Sequence, residues 1–181
     1  MGKTNSIVAA GFGGQGMLFA GRQLALTGMY LDKHVTWLPS YGAESRGGTS
    51  NCTVIVSDDP IGAPVVSNHN IAMVMNLPSF LKFSVLLKSG GYLFCDSSLI
   101  HEKCGRDDIS SFYIPATAIA DKEFGTPKAA NVVMLGKLIK ETALFTFDEF
   151  VMSMEKSLSE SKKNLLDMNI KALRLGFDYA E

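Results

Sequence analysis

The chain has 181 residues, of which 46% are hydrophobic and 19% charged, and its formal net charge at pH 7 is −1. This composition predicts one globular domain, 1–181, with a sizeable core, and the lack of a basic excess disfavours nucleic acid as a partner. No apolar run reaches the roughly 18 residues of a membrane span, so we expect no membrane partner. The first residues do not resemble a cleavable leader, which predicts a cytoplasmic protein.

A glycine-rich turn follows the first predicted strand, Ser6–Ala10, and a helical pattern covers 16–31. Glycine reaches positive φ and lets a ligand approach bare backbone, and the next helical turn offers unpaired N–H groups. We therefore predict an anion or phosphate site at this turn. Its candidate residues are Gly11, Gly13, Gly14, Gln15 and Gly16.

The same glycines match G-x-G-x-x-G, the dinucleotide-binding fingerprint. That fingerprint also needs an acidic residue about 20 positions on, at the end of the second strand. The second strand is predicted over Val35–Leu38 and ends at Pro39 without Asp or Glu. The phosphate-binding half of the motif is present and the ribose-binding half is missing. A nicotinamide or flavin site stays an alternative, as do glycines that serve only strand–helix packing.

A second unusual segment, the predicted loop Pro39–Gly48, follows this strand. Ligands of open α/β sheets lie beyond the carboxyl ends of the strands, so we expect this segment beside the glycine-rich turn. Arg46 is suited to a bidentate anion contact with Glu44 as its partner, whereas a hairpin-like connection without ligand is the alternative. The candidate residues here are Tyr41, Glu44, Arg46, Gly47, Gly48 and Thr49.

The remaining elements alternate strands with helices before a helical end. Further strands are predicted over Ser50–Ser57, Ile71–Met75, Tyr92–Cys95 and Phe112–Ile114. Further helices are predicted over Ser79–Leu87, Pro127–Glu141, Phe147–Ser157 and Ser161–Tyr179, with Thr126 and Thr146 as caps. Apolar strands such as Ile71–Met75 are typical of sheets covered on both faces. The pattern predicts an α/β fold with a Rossmann-like, mostly parallel sheet, helices on both faces and a helical C-terminal part.

The cysteines and histidines do not form a recognisable metal or redox motif. Cys52, Cys95 and Cys104 are odd in number and lack C-x-x-C spacing, which argues against disulfides, a zinc knuckle or an iron–sulfur cluster within this chain. The three histidines are not paired at metal-ligand spacing. We expect no metal site and no catalytic residue in this chain.

Several segments together resemble the γ subunit of 2-oxoacid:ferredoxin (acceptor) oxidoreductases, over nearly the whole chain. They are Gly11–Gly16, Pro39–Cys52, Asn76–Ser79 and the helix Lys128–Gly136. The segment Trp37–Tyr41 is most similar to the 2-oxoglutarate branch of the family, with the pyruvate and branched-chain branches close behind.

The resemblance implies a subunit, inactive alone, of an enzyme that oxidatively decarboxylates a 2-oxoacid to acyl-CoA. It implies α, β and δ subunits as partners, with ferredoxin or flavodoxin accepting electrons. It further implies thiamine diphosphate, magnesium and 4Fe-4S clusters on the partner subunits, with coenzyme A as a co-substrate whose binding region this subunit helps to form. The two loops would contact coenzyme A or order the contact with partner subunits. A free-standing NAD(P)-dependent oxidoreductase and a pure interaction module are the alternatives of other classes.

Overall fold

The computed structural model describes residues 2–41, 49–157 and 163–180, whose centre is a six-stranded sheet. The strands are β1 (Thr4–Phe12), β2 (His34–Tyr41), β3 (Thr49–Ser57), β4 (His69–Val74), β5 (Leu87–Asp96) and β6 (Ser110–Ile114). Their order is β2-β3-β1-β4-β5-β6. β1, β4, β5 and β6 pair in parallel, while β3 is antiparallel to both β1 and β2. The predicted mostly parallel α/β sheet is confirmed, with one reversed strand.

The second strand is longer than predicted. The sequence-based boundary at Pro39 is wrong, because β2 continues through Pro39, which pairs with Cys52, to Tyr41. Proline lacks the N–H needed inside a sheet but is tolerated on an edge strand, and β2 lies at the edge. The segment between β2 and β3 therefore connects two antiparallel neighbours.

The helices cover both faces of the sheet, as predicted. They are α1 (Met17–Tyr30), α2 (Leu77–Ser84), α3 (Ala116–Phe124), α4 (Ala130–Thr142), α5 (Phe147–Ser157) and α6 (Lys163–Phe177). The larger core lies between the sheet and α1, α4, α5 and α6, and includes Ile7 and Ala9 of β1. The alternate β1 residues Val8 and Ala10 pack with Phe80 and Phe83 of α2 in the smaller core. This alternation buries β1 on both sides.

Two helix predictions need correction, and a third helix was not predicted. The helix predicted to run to Leu87 ends at Ser84, because Leu87 already belongs to β5, which starts before the predicted Tyr92. The helix predicted from Pro127 opens with a short 3₁₀ turn, Pro127–Ala129, before α4. The sequence reading missed α3 altogether.

Both predicted threonine caps are present. The Thr126 hydroxyl accepts a hydrogen bond from Lys128 N at 3.4 Å. Thr146 and Glu149 form a reciprocal capping box, in which Glu149 N donates to the Thr146 hydroxyl at 3.2 Å and Thr146 N donates to Glu149 Oε2 at 2.8 Å. Within the described part of the chain, no helix has the length and apolar character of a membrane span.

Candidate functional site

The glycine-rich turn joins β1 to α1 and contains two residues in the left-handed region. Gly14 has φ 99° and Gly16 has φ 74°. A side chain at Gly14 would meet open space, so this backbone is open to approach. A Cβ on Gly11 would lie 2.5 Å from Gln15 Oε1, and one on Gly16 would overlap the Asn131 amide. Gly14 thus presents backbone, while Gly11 and Gly16 make room for the side chains that hold the turn.

Two amide side chains fasten this turn to distant parts of the sheet and the helical layer. Gln15 Oε1 accepts a hydrogen bond from Phe12 N at 2.6 Å, and Gln15 Nε2 donates to the carbonyl of Met75 at 2.8 Å, just beyond β4. Asn131 Nδ2, at the start of α4, donates to Gly16 O at 2.9 Å. Side-chain hydrogen bonds therefore tie the turn to the end of β4 and to α4.

A cavity of about 270 Å³ lies at the carboxyl ends of the parallel strands. It is lined by Gly14, Gln15, Met75, Leu99, Thr117, Pro127 and Lys128. This is the edge at which open α/β sheets bind their ligands. Since pockets for drug-sized ligands span roughly 300–1,000 Å³, the cavity suits a small ligand or one section of a longer one.

The cavity wall combines one exposed cation with a buried carboxylate behind it. Lys128 is exposed and is the charged residue among the described lining side chains. Asp96 ends β5 with no solvent exposure and accepts hydrogen bonds from Ser98 N at 3.0 Å and Thr117 N at 3.1 Å. Sequence reasoning did not select Asp96, Thr117 or Lys128 as functional residues. The available signal was a polar residue directly after the apolar strand Tyr92–Cys95.

The second loop begins and ends at this same edge of the sheet. Thr49, at the start of β3, pairs with Phe12, and Ser50 pairs with both Gly11 and Tyr41. The backbone of Thr49 and Tyr41 therefore lies near the glycine-rich turn, as expected from the sequence. The predicted residues Glu44, Arg46, Gly47 and Gly48 lie outside the described residues.

Cys52, which pairs with Ala9 of β1, is structural in character. Burial raises the pKa of the Cys52 thiol to about 11, and its Sγ donates to Met17 O at 3.4 Å. A Cβ on Gly21 would overlap this sulfur, so Cys52 fills the contact between β3 and α1. Because thiols react as thiolates, we expect Cys52 to be unreactive near neutral pH.

Comparison with known proteins identifies the family. A model described as pyruvate ferredoxin/flavodoxin oxidoreductase matches residues 6–179. The chain belongs to this family. The resemblance stated from the sequence motifs is thereby confirmed, and the comparisons do not support a free-standing dinucleotide-dependent enzyme.

Two curated relatives and one solved structure define the similarity further. The ketoisovalerate oxidoreductase subunit VorA of Methanothermobacter thermautotrophicus is 35% identical over 171 residues, which are 94% of this chain and 35% of VorA. The 2-oxoglutarate synthase subunit KorC of Methanocaldococcus jannaschii is 34% identical over 175 residues, covering 95% of this chain and 91% of KorC. The chain thus spans about a third of VorA and most of KorC.

The solved γ subunit of a keto/oxoacid ferredoxin oxidoreductase from Geobacter sulfurreducens has the same fold. It superposes with a TM-score of 0.81 at 27% identity, and the match covers 96% of each chain. The two chains therefore share this architecture over 96% of their lengths.

Proposed function

We propose that this chain is the γ subunit of a 2-oxoglutarate:ferredoxin oxidoreductase, a complex that oxidatively decarboxylates the 2-oxoacid to acyl-CoA. The observation that carries the proposal is the match to KorC, which extends over 95% of this chain and 91% of the relative. A branched-chain 2-oxoacid enzyme is the second candidate, since VorA is 35% identical to this chain. In either case the chain is inactive alone and works with α, β and δ subunits and a ferredoxin or flavodoxin.

The role of the chain in the complex is to form part of the coenzyme A region. The open backbone at Gly14, the exposed Lys128 and the position of the cavity at the carboxyl edge support this assignment. The cavity is too small for the whole coenzyme, so the rest of the ligand would contact partner subunits. Thiamine diphosphate, magnesium and 4Fe-4S clusters belong to those partners in this proposal. For the clusters, the support is that Cys52 and Cys95 are buried and that none of the three cysteines has C-x-x-C spacing.

The second loop contributes to the same region in this proposal. Its ends, Tyr41 and Thr49, lie at the carboxyl edge of the sheet, which supports placing Arg46 near an anionic group of coenzyme A or at the subunit contact. Glu44 would orient Arg46, and Gly47 and Gly48 would allow the close approach. The backbone of Gly13, Gly14 and Gly16 would contact the phosphate or pantetheine part of the coenzyme.

Anaerobic purification of the tagged chain from its native host tests the subunit assignment. We expect thiamine- and cluster-bearing subunits to co-purify, and the eluate to reduce viologen in a coenzyme A-dependent reaction with 2-oxoglutarate. If the complex prefers 2-oxoisovalerate or pyruvate as substrate, the chain would be assigned to another branch of the family. A chain that purifies alone, or binds NAD(P), would refute the proposal.

A substitution at the second loop tests the coenzyme A assignment. Arg46→Ala should raise the KM for coenzyme A or reduce the mass of the complex, because an anion or interface contact is lost. Arg22→Ala, an exposed arginine on α1, is the matched control. An unchanged KM for coenzyme A together with an unchanged complex mass would show that Arg46 contacts neither coenzyme A nor a partner subunit.

A further inference from the structure

One wall of the cavity is held together by a carboxylate that sequence motifs do not mark. Asp96 joins the segment after β5 to the first turn of α3, through Ser98 N and Thr117 N. Its backbone carbonyl also accepts from Leu99 N at 3.1 Å. Leu99 and Thr117 both line the cavity, so Asp96 fixes the two lining residues relative to each other.

The hydrogen bonds of Asp96 also determine what the Thr117 hydroxyl can offer to a ligand. The Thr117 hydroxyl donates its proton to Asp96 Oδ2. A hydroxyl has one proton and two lone pairs, so with its proton engaged it can only accept a further hydrogen bond. Thr117 and Lys128 both belong to the cavity lining, so its polar groups include a hydroxyl that can only accept and a cationic donor.

Apolar surface lies in the same cavity as these two polar positions. Met75, Leu99 and Pro127 contribute it. A matching ligand section carries an N–H donor and an anionic group on an otherwise apolar, slender chain. The phosphopantetheine arm of coenzyme A has this chemistry, since its amide groups are separated by methylenes and a phosphate is attached at the end opposite the thiol.

We propose that Thr117, oriented by Asp96, accepts a hydrogen bond from an amide N–H of the pantetheine arm, while Lys128 contacts the phosphate at its end. The assignment rests on the proposed function, because it requires coenzyme A as co-substrate. The nucleotide end of coenzyme A also carries donors and phosphate. The apolar lining and the volume of about 270 Å³ favour the arm over a nucleoside with its base and ribose.

The test uses the whole purified complex with Thr117→Val, which keeps the shape and removes the hydroxyl. We expect the KM for coenzyme A and the inhibition constant of 4′-phosphopantetheine to rise about tenfold, which corresponds to about 1.4 kcal/mol. The KM for the 2-oxoacid and the inhibition constant of adenosine 3′,5′-bisphosphate should stay unchanged. Thr117→Ser should return the KM to within about twofold, as expected for a hydroxyl acceptor. Thr53→Val, on β3 and outside the cavity lining, is the matched control.

The outcomes separate this inference from the proposed function. A wild-type complex with no coenzyme A-dependent turnover overturns both. An active complex in which Thr117→Val leaves the KM for coenzyme A unchanged, or weakens only the nucleotide inhibitor, overturns the inference alone. If the valine variant does not assemble, inhibition of the wild-type complex is measured with a phosphopantetheine analogue whose amide N–H is replaced by an ester oxygen. The inference requires this analogue to inhibit several-fold more weakly.

Discussion

Substitution of Gly176 by alanine tests the contact that seats the last helix on the protein. A Cβ on Gly176 would overlap the carbonyl oxygen of Val133 in α4 and lie 2.7 Å from its carbon. The reciprocal position is equally tight, because a Cβ on Gly136 would lie 2.7 Å from Phe177 N. These are backbone atoms and cannot rotate away, so α4 and α6 must move apart. Such a movement loosens fully buried side chains, among them Leu138 and Leu173.

Two opposing contributions determine the magnitude. Glycine to alanine within a helix favours folding by about 1 kcal/mol when nothing obstructs the methyl group. Overpacking of a well-packed contact costs about 1–3 kcal/mol and sometimes more, and here the obstruction is backbone. Because backbone cannot yield, we take the upper end of that cost, about 3 kcal/mol, which leaves a net loss of about 2 kcal/mol in the free energy of unfolding. For a chain of this length that lowers Tm by about 4–8 °C.

Thermal unfolding followed by circular dichroism measures this effect. Gly62→Ala is the control, because a Cβ there meets nothing within 4 Å, and its Tm should stay close to that of the wild type. A Gly176→Ala protein as stable as the wild type, or more stable, would show that helix propensity outweighs the packing and would refute the reasoning.

Three further predictions concern single side chains. Asn76→Ala removes the cap that accepts from Ser79 N at 2.8 Å and should lower the free energy of unfolding by about 1 kcal/mol; an unchanged urea midpoint would contradict this. Burial, with Lys88 nearby, lowers the pKa of His69, so the unfolded chain takes up the proton first and stability should fall as the pH drops below about 6.5. In His69→Phe the free energy of unfolding should depend less on pH below about 6.5. An unaltered pH dependence would show that other groups cause it. With its pKa near 11, Cys52 should resist iodoacetamide at pH 7 while the partly exposed Cys104 is alkylated. Rapid modification of Cys52, measured by peptide mass spectrometry, would show that this thiol is not buried as described.

Features that depend on neighbouring residues were predictable from the sequence. The apolar run before the glycines indicates β1, and Thr146 indicates the start of α5. These features depend on residues that lie within a few positions of each other, so they can be predicted from the local composition and spacing. The left-handed glycines of the turn belong to the same class, since positive φ favours glycine wherever the rest of the chain lies.

The missed helix shows what local pattern does not record. Pro115 precedes α3 and provides no side-chain cap. The cap is Asp96, which is 21 residues earlier than Thr117. No window around residues 116–124 contains that carboxylate, so the start of α3 depends on the pairing of β5 with β6.

The sequence by itself determined the α/β class, the glycine-rich turn, the absence of the ribose-binding acid and the resemblance to the oxidoreductase γ subunits. Only the tertiary structure decided how the turn is held and what faces the cavity. Gln15 reaches Met75 across 60 residues, and Asn131 reaches Gly16 across 115. The physical reason is that parallel strands bring their carboxyl ends to one edge, where residues far apart in the chain exchange hydrogen bonds.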